Sequence, residues 1–315
     1  MLEISRRVSA LGALTLVAVL PGSPLAHAVA EAAPPVVTVT MDGSHATLSG
    51  ADHLRSGWTT FRVSSTSADN NLSFFLSRRP QAPPPAPAQP ADSTPNAVNP
   101  VPDPQPAPAP VAPVRADRAA THAERARVTT AAEESTISVG GVATSKGHDA
   151  SLTVELPTGT VYLQDLAAAD TAKPVAVLTV APDSNGALLP RVDQFVTIDG
   201  HNKFITPRSL HRRGMLQVEN IGHGRYGWHD LVLQKLRKGT TRDDVVSYFR
   251  HDPGQGHSPF AAPIAGTAPL SSGHVLQISY SLPAGTYALY DIWLDRKTGQ
   301  FLAGEGAVTL ISVIK

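Results

Sequence analysis

Apolar and polar positions alternate along this chain in short segments. Val275-Leu276-Gln277-Ile278-Ser279-Tyr280 and Val308–Val313 alternate as half-buried strands do. The same reading predicts strands over Val36–Met41, Thr59–Val63, Leu72–Leu76, Ser151–Leu156, Thr160–Asp165 and Val175–Val180. Further strands follow over Phe195–Ile198, Met215–Glu219, Asp230–Leu236, Thr286–Trp293 and Gly306–Ile314, with Gly, Pro, Asn and Asp punctuating them. Helical spacing is confined to two places. Asp117–Glu134 is Ala-rich with mixed charge and a thin apolar face. Thr240–Phe249 has Thr240 as N-cap, Asp243 and Asp244 at the positive end, and Val245, Tyr248 and Phe249 facing the core, with Pro253-Gly254 as its stop.

The strands fall into two sets that repeat. Val39-Thr40-Met41-Asp42-Gly43 resembles Val196-Thr197-Ile198-Asp199-Gly200, 157 residues later, and Gly57 and Gly214 follow at that same offset. Phe74-Phe75-Leu76 matches Leu231-Val232-Leu233. A second block, Leu156-Pro157-Thr158-Gly159-Thr160-Val161-Tyr162-Leu163-Gln164-Asp165, matches Leu282–Asp291 at an offset of 126, with six of ten positions identical. The fall in offset means that the first copy carries an insertion, and 14 of the 34 residues from Pro80 to Pro113 are proline. Proline has no amide donor and a fixed φ, so this stretch joins no sheet and reads as an extended spacer. The expected fold is mainly β: two tandem β-sandwiches, each with a short helical excursion. The first spans 36–181, interrupted by the proline-rich insertion 80–114; a linker 182–191 leads to the second, 192–315.

Composition changes this picture in two ways. The 315 residues contain no cysteine, which excludes disulfides, zinc-thiolate sites, iron–sulfur clusters and a Cys nucleophile. The 26 basic and 26 acidic side chains cancel, so there is no general electrostatic basis for binding nucleic acid or anionic membranes. Residues 1–30 read as a secretory signal: Arg6 and Arg7, the apolar run Val8–Leu20, then small-x-small cleavage sites at Ala26-His27-Ala28 and Ala28-Val29-Ala30. Ser5-Arg6-Arg7 has a twin-arginine flavour, but Val8-Ser9-Ala10-Leu11 fits that motif poorly, and the general export route is expected. The mature chain is therefore expected to be secreted, with no membrane span, and to bind an extracellular protein or a cell-envelope component.

Three segments of the second copy, Asn220-Ile221-Gly222, Trp228-His229-Asp230-Leu231-Val232-Leu233 and Leu282-Pro283-Ala284-Gly285-Thr286-Tyr287, resemble the cupredoxin superfamily as it occurs in secreted bacterial proteins. The resemblance covers most of 192–315 and, more weakly, 36–80 with 140–181. It implies two tandem cupredoxin-like Greek-key sandwiches. It also exposes a departure from the family's metal pattern. Type 1 copper takes a thiolate, two imidazoles and a weak axial Met. Here His229 stands where the family's first His would be, Asp291 replaces the Cys, and no His or Met follows in Ile292-Trp293-Leu294-Asp295-Arg296. In the first copy Asn71 or Leu72 replaces the His, and Asp165 the Cys. Blue copper is excluded in both, and no resident cofactor is expected.

Two candidate sites remain. His229, Asp291 and His223 form a set that suits Cu(II) or zinc, against the reading of His229 as a structural hydrogen-bond partner on a relic site. Tyr226, Trp228, Tyr290 and Trp293, with Trp58, are candidates for an aromatic binding surface, against the reading of aromatic plugs at a sandwich end. His251-Asp252-Pro253-Gly254-Gln255-Gly256-His257 reads as a solvated loop. The chain has no Gly-x-Ser-x-Gly elbow, no His-Glu-x-x-His and no phosphate loop. The expectation is thus a secreted, non-catalytic, partner-binding or structural module, with an extracellular copper or zinc carrier as the alternative.

Overall fold

The computed structural model describes residues 32–42, 45–66, 71–79, 121–145, 149–166, 174–192, 194–199, 203–222, 227–251, 253 and 257–314. The expected export signal 1–30, the proline-rich stretch 80–114, His223, Tyr226 and Asp252 lie outside these residues. The first half of the chain forms β1 (Val36–Met41), β2 (Ala46–Ser49), β3 (Arg55–Ser65), β4 (Asn71–Arg78), α1 (His122–Ser135), β5 (Ile137–Ser145), β6 (Ala150–Leu156), β7 (Gly159–Asp165) and β8 (Ala176–Ser184). The second forms β9 (Gln194–Ile198), β10 (Phe204–Ile205), β11 (Ser209–Leu210), β12 (Arg213–Asn220), β13 (Trp228–His229), β14 (Val232–Leu236), α2 (Arg242–Arg250), β15 (Phe260–Ala268), β16 (Leu270–Ser271), β17 (Val275–Ser281), β18 (Gly285–Tyr290) and β19 (Val308–Val313). The protein is mainly β. Among the described residues, no helix is long and apolar enough to cross a membrane.

The pairings repeat between the halves. β1 runs parallel to β3 as β9 does to β12, and β4 is flanked by β5 and β7 as β14 is by β15 and β18. The repeat extends to single residues: Phe75 faces Gln164, and Val232, 157 residues on, faces Tyr290, 126 residues on from Gln164. The two Leu-Pro-x-Gly-Thr segments occupy equivalent places, joining β6 to β7 and β17 to β18.

The halves share both of their sheets. One sheet runs β2-β1-β3-β6-β17-β12-β9-β10, the other β8-β7-β4-β5-β15-β14-β18-β19-β11. The seams are the antiparallel pairs β6–β17 (Leu152↔Ile278, Val154↔Leu276) and β5–β15 (Gly141↔Ala268, Ala143↔Gly266). Both seams are related to themselves by a local two-fold, because each partner of one pair has its counterpart in the other. Between the sheets lies one apolar core drawn from both halves, including Val37, Val39, Phe61, Leu152, Leu216, Leu276, Ile278 and Tyr287. Removing such side chains from water contributes about 1.5–3 kcal/mol each. Residues 32–315 accordingly form one compact unit.

The expected linker 182–191 has a structure of its own. β8 takes up its first residues, and the rest passes over the outer face of the sheet that holds β3 and β17. Asn185 Nδ2 donates to Trp58 O at 2.9 Å, and Gln277 Nε2 donates to Pro190 O. Gln277, at the seam, is buried although it points away from the core. The segment is a strap across the seam.

Four local expectations change. The cap of α2 is Thr241, not Thr240, because Thr241 Oγ1 accepts from Asp244 N at 3.2 Å while Asp244 accepts from the Thr241 amide at 2.8 Å, closing a capping box. Tyr248 is only partly buried, and Val246 takes a core place beside Val245 and Phe249. β18 stops at Tyr290 rather than Trp293, since Asp291 O accepts from Ala303 N and turns the chain into a loop. The strand expected over 230–236 begins only at Val232, which pairs with β15 and β18, and Trp228–His229 before it forms a separate short strand paired with β16.

Close approach at the seam demands glycine. A Cβ on Gly141 would lie 2.0 Å from Phe74 O, and one on Gly266 would lie 2.5 Å from Leu231 O. Phe74 and Leu231 are themselves 157 residues apart, so the two glycines do one job on either side of the two-fold. Gly141→Ala and Gly266→Ala are each expected to destabilise the protein by about 1–3 kcal/mol, the usual cost of overpacking. The check is urea denaturation: a lower midpoint at unchanged slope, with no shift at either site contradicting the close approach.

Candidate functional site

His229 and Asp291 meet. β13 holds His229 against β16, and the end of β18 carries Asp291 to the same level of the sheet. His229 Nδ1 lies 2.6 Å from Asp291 Oδ2, and both side chains are fully buried. Asp291 Oδ1 accepts from Trp293 N at 2.8 Å and from Asp230 N at 3.3 Å. Asp230 in turn accepts from Ile292 N at 2.8 Å. Two adjacent carboxyl groups thus staple the start of the loop 291–307 to the strand pair below it. Burial, then the charge of Asp291, pushes the Asp230 carboxyl well above the usual carboxylate range.

This geometry does not fit type 1 copper. The chain has no thiolate, and the carboxylate at that position is committed to an imidazole and two backbone amides. Nor is the His229–Asp291 contact a metal-bridged one: 2.6 Å is a direct hydrogen bond. His223 lies outside the described residues, among which no group of three or more His, Cys, Asp or Glu is arranged to hold a metal ion.

Of the candidate aromatic residues, Trp228, Tyr290 and Trp293 form no surface. Trp228 is 3% exposed, Tyr290 3% and Trp293 7%. They also divide between two clusters, because Tyr290 and Trp293 leave β18 on either side of the turn at Asp291. Trp228 stacks between Trp293 (ring centroids 5.1 Å apart) and Phe75 (5.8 Å), the latter from the first half. Tyr290 packs with Phe249 and Phe260, each 5.0 Å away, and its hydroxyl donates to Gln234 Oε1 at 2.6 Å. Burial, reinforced by the charge of Asp230, pushes the Tyr290 hydroxyl well above its ordinary value. These rings are plugs between elements. His251 and His257 line a polar cleft beside α2 with Arg237 and Lys238.

Sequence patterning missed the residue that completes the cluster. Glu133 sits near the end of α1, in the first half, with its side chain only 4% exposed. Trp293 Nε1 donates to Glu133 Oε1 at 2.7 Å, and Arg296 Nε lies 3.5 Å from Oε2. Arg296 Nη2 also donates to Glu134 Oε1 at 3.1 Å, and Thr130 Oγ1 to Arg296 O at 3.4 Å. Helix α1, with almost no apolar stripe, is therefore docked on the loop 291–307 of the other half largely by polar contacts. Its mixed charges carried no sign of this, since a charged, Ala-rich helix with a thin apolar face reads as a solvated one.

No family model and no curated protein matches the chain. Solved structures similar to it include an azurin, an auracyanin and Lac15. An azurin from Methylomonas sp. strain J is 15% identical over 38% of this chain and 96% of its own, with a TM-score of 0.26. A dithionite-reduced auracyanin from Roseiflexus castenholzii is 14% identical over 38% and 95%, also at 0.26. Lac15, from a marine microbial metagenome, is 11% identical over 93% of this chain and 68% of its own, again at 0.26. Likeness at this level carries no argument about activity.

Glu133 gives the site a pH dependence. Burial pushes its carboxyl up from 4.5 to about 7, against the lowering effects of Trp293, Arg296, Trp228 and His229. A carboxyl whose folded value is raised holds its proton more tightly in the folded state. Its contribution is therefore greatest below pH 4.5 and is lost as the pH climbs through 7, a change on the order of 3 kcal/mol. Urea denaturation between pH 5 and 8 is expected to show this fall in the wild type and a flatter profile in Glu133→Gln, which keeps an acceptor for Trp293; parallel profiles would contradict it.

Proposed function

We propose that this is an exported, non-catalytic protein of two cupredoxin-like halves, serving as a binding or structural module outside the cell membrane. The observation that carries the reading is the buried His229–Asp291 hydrogen bond. Where a redox centre would keep donor atoms free for an ion, this chain commits them to each other and to the backbone. The matched strand pairings and cross-strand registers of the two halves support the tandem reading. The residues 1–30 support export. Phe195 and Ile205, exposed on one face of the paired strands β9 and β10, offer apolar contact area to an extracellular protein or cell-envelope partner.

Under this reading the dyad works in the core. His229→Ala would leave Asp291 buried without its imidazole, an error that typically costs about 3–5 kcal/mol when one partner of a buried pair is removed. Calorimetric titration of the wild type with Cu(II) and with zinc is expected to show no micromolar binding that depends on His229. Tight binding abolished in His229→Ala, or a turnover abolished by one substitution at a defined pocket, would overturn the reading in favour of a metal carrier or an enzyme. N-terminal sequencing of the chain recovered from a bacterial culture medium is expected to begin at Val29 or Glu31.

A further inference from the structure

The cleft beside α2 has a volume of about 540 Å³. Helical spacing builds one wall. Asp244, Ser247, Tyr248 and His251 recur at steps of three and four residues, so they share one face of α2 and its C-cap. The opposite wall is the turn 237–240 after β14, with residues 257–259 before β15. Thr240 N donates to Arg237 O at 3.2 Å to close that turn, and Gly239 supplies its left-handed φ of 84°. Arg237 Nε donates to Phe260 O at 2.9 Å and Thr240 Oγ1 to Pro259 O at 3.3 Å, so the two parts of this wall are tied together. His251 is also fixed: its Nδ1 donates to Ser247 O at 2.8 Å.

We propose that this cleft binds a small molecule carrying a phosphate-type oxyanion on a single-ring body. Charge selects the oxyanion. Arg237 and Lys238 are permanent cations on the lining, and neither makes an ion pair among the described residues. The carboxylate on the lining is already engaged: Asp244 Oδ2 accepts from Thr241 N at 2.8 Å and from Thr241 Oγ1 at 2.7 Å. A ligand cation would meet Arg237 and Lys238, and a neutral ligand would leave both to water. An oxyanion takes charge-assisted hydrogen bonds from both. His251 and His257 suit the same group, because an imidazole accepts from a protonated oxygen or, when protonated itself, donates to a bare one. Size and surface select the body. The volume lies within the range of small-molecule sites. The half-buried Tyr248 ring, held edge-on by Phe249 and Phe260 at 5.3 and 5.8 Å, gives the wall an aromatic surface. The inference goes beyond the non-catalytic reading and does not rest on it, since the cleft shares no residue with the His229–Asp291 cluster.

The test is calorimetric titration of the whole chain at neutral pH with phenyl phosphate, and with benzyl alcohol and benzylamine as neutral and cationic comparators. Salt at about 0.1 M screens non-specific attraction. Phenyl phosphate is expected to bind one to one with Kd below ~1 mM, and the alcohol and the amine at least about tenfold more weakly. Lys238→Glu is expected to weaken phenyl phosphate at least about tenfold, and Lys203→Glu to change it by less than about twofold. Both lysines are exposed, and Lys203, beside β10 in the other sheet, makes the second variant a control for net charge. No saturation with phenyl phosphate, equal affinity for the alcohol or the amine, or equal weakening by the two substitutions would overturn the proposal. None of these outcomes bears on the Cu(II) and zinc titrations of His229, so the two readings fail separately.

Discussion

The pairing of β5 with β15, across a local two-fold, constrains nearly everything else in this protein. Gly141 and Gly266 allow the strands to meet with carbonyls of β4 and of the residue before β14 pressed against them. The second seam, β6 with β17, closes the opposite sheet over the same axis. With both seams made, the apolar faces of the halves form one core, while α2 closes a smaller apolar cluster within the second half. The small residues that the seam needs also leave a cavity of about 250 Å³ beside it, lined by Ala143, Gly266 and Ala268 among others.

The polar cluster is built where strand ends converge and bring His229 into contact with Asp291 at the start of a loop. With a carboxylate there, convergence yields a hydrogen-bonded staple. The loop it secures becomes a platform for α1, held by Glu133 and Glu134. A helix with little apolar surface can be kept in place in this way only if its few polar contacts are shielded from water, which is why a carboxyl there is driven to an unusual ionisation range.

Large alternating side chains made the repeat and the strands of one seam legible: β1, β6, β7, β17 and β19 lie where apolar residues recur at every second position. The strands of the other seam, β5 and β15, were not legible. Ile137–Ser145 and Phe260–Ala268 are built largely from Gly, Ala, Ser and Thr, with Pro263 inside the second, and carry no apolar period to read. Sequence patterning finds residues that fill space, whereas the β5–β15 seam is defined by residues that vacate it. Of the candidate site, the meeting of His229 and Asp291 followed from the order of the strands. The part played by Glu133 did not, because it depends on a helix of one half reaching the loop of the other, a contact that no local pattern encodes.

The strap of residues after β8 has a consequence for how the molecule holds together. It makes the docking of one half on the other an intramolecular event, with an effective concentration far above that of two separate chains in dilution. A nick there would turn the seams into an interface between two chains. Each fragment would then present an unpaired strand edge in both sheets, shaped by the two-fold to accept a second copy of itself as readily as its lost neighbour. Covalent continuity thus guards against self-association as well as joining the halves.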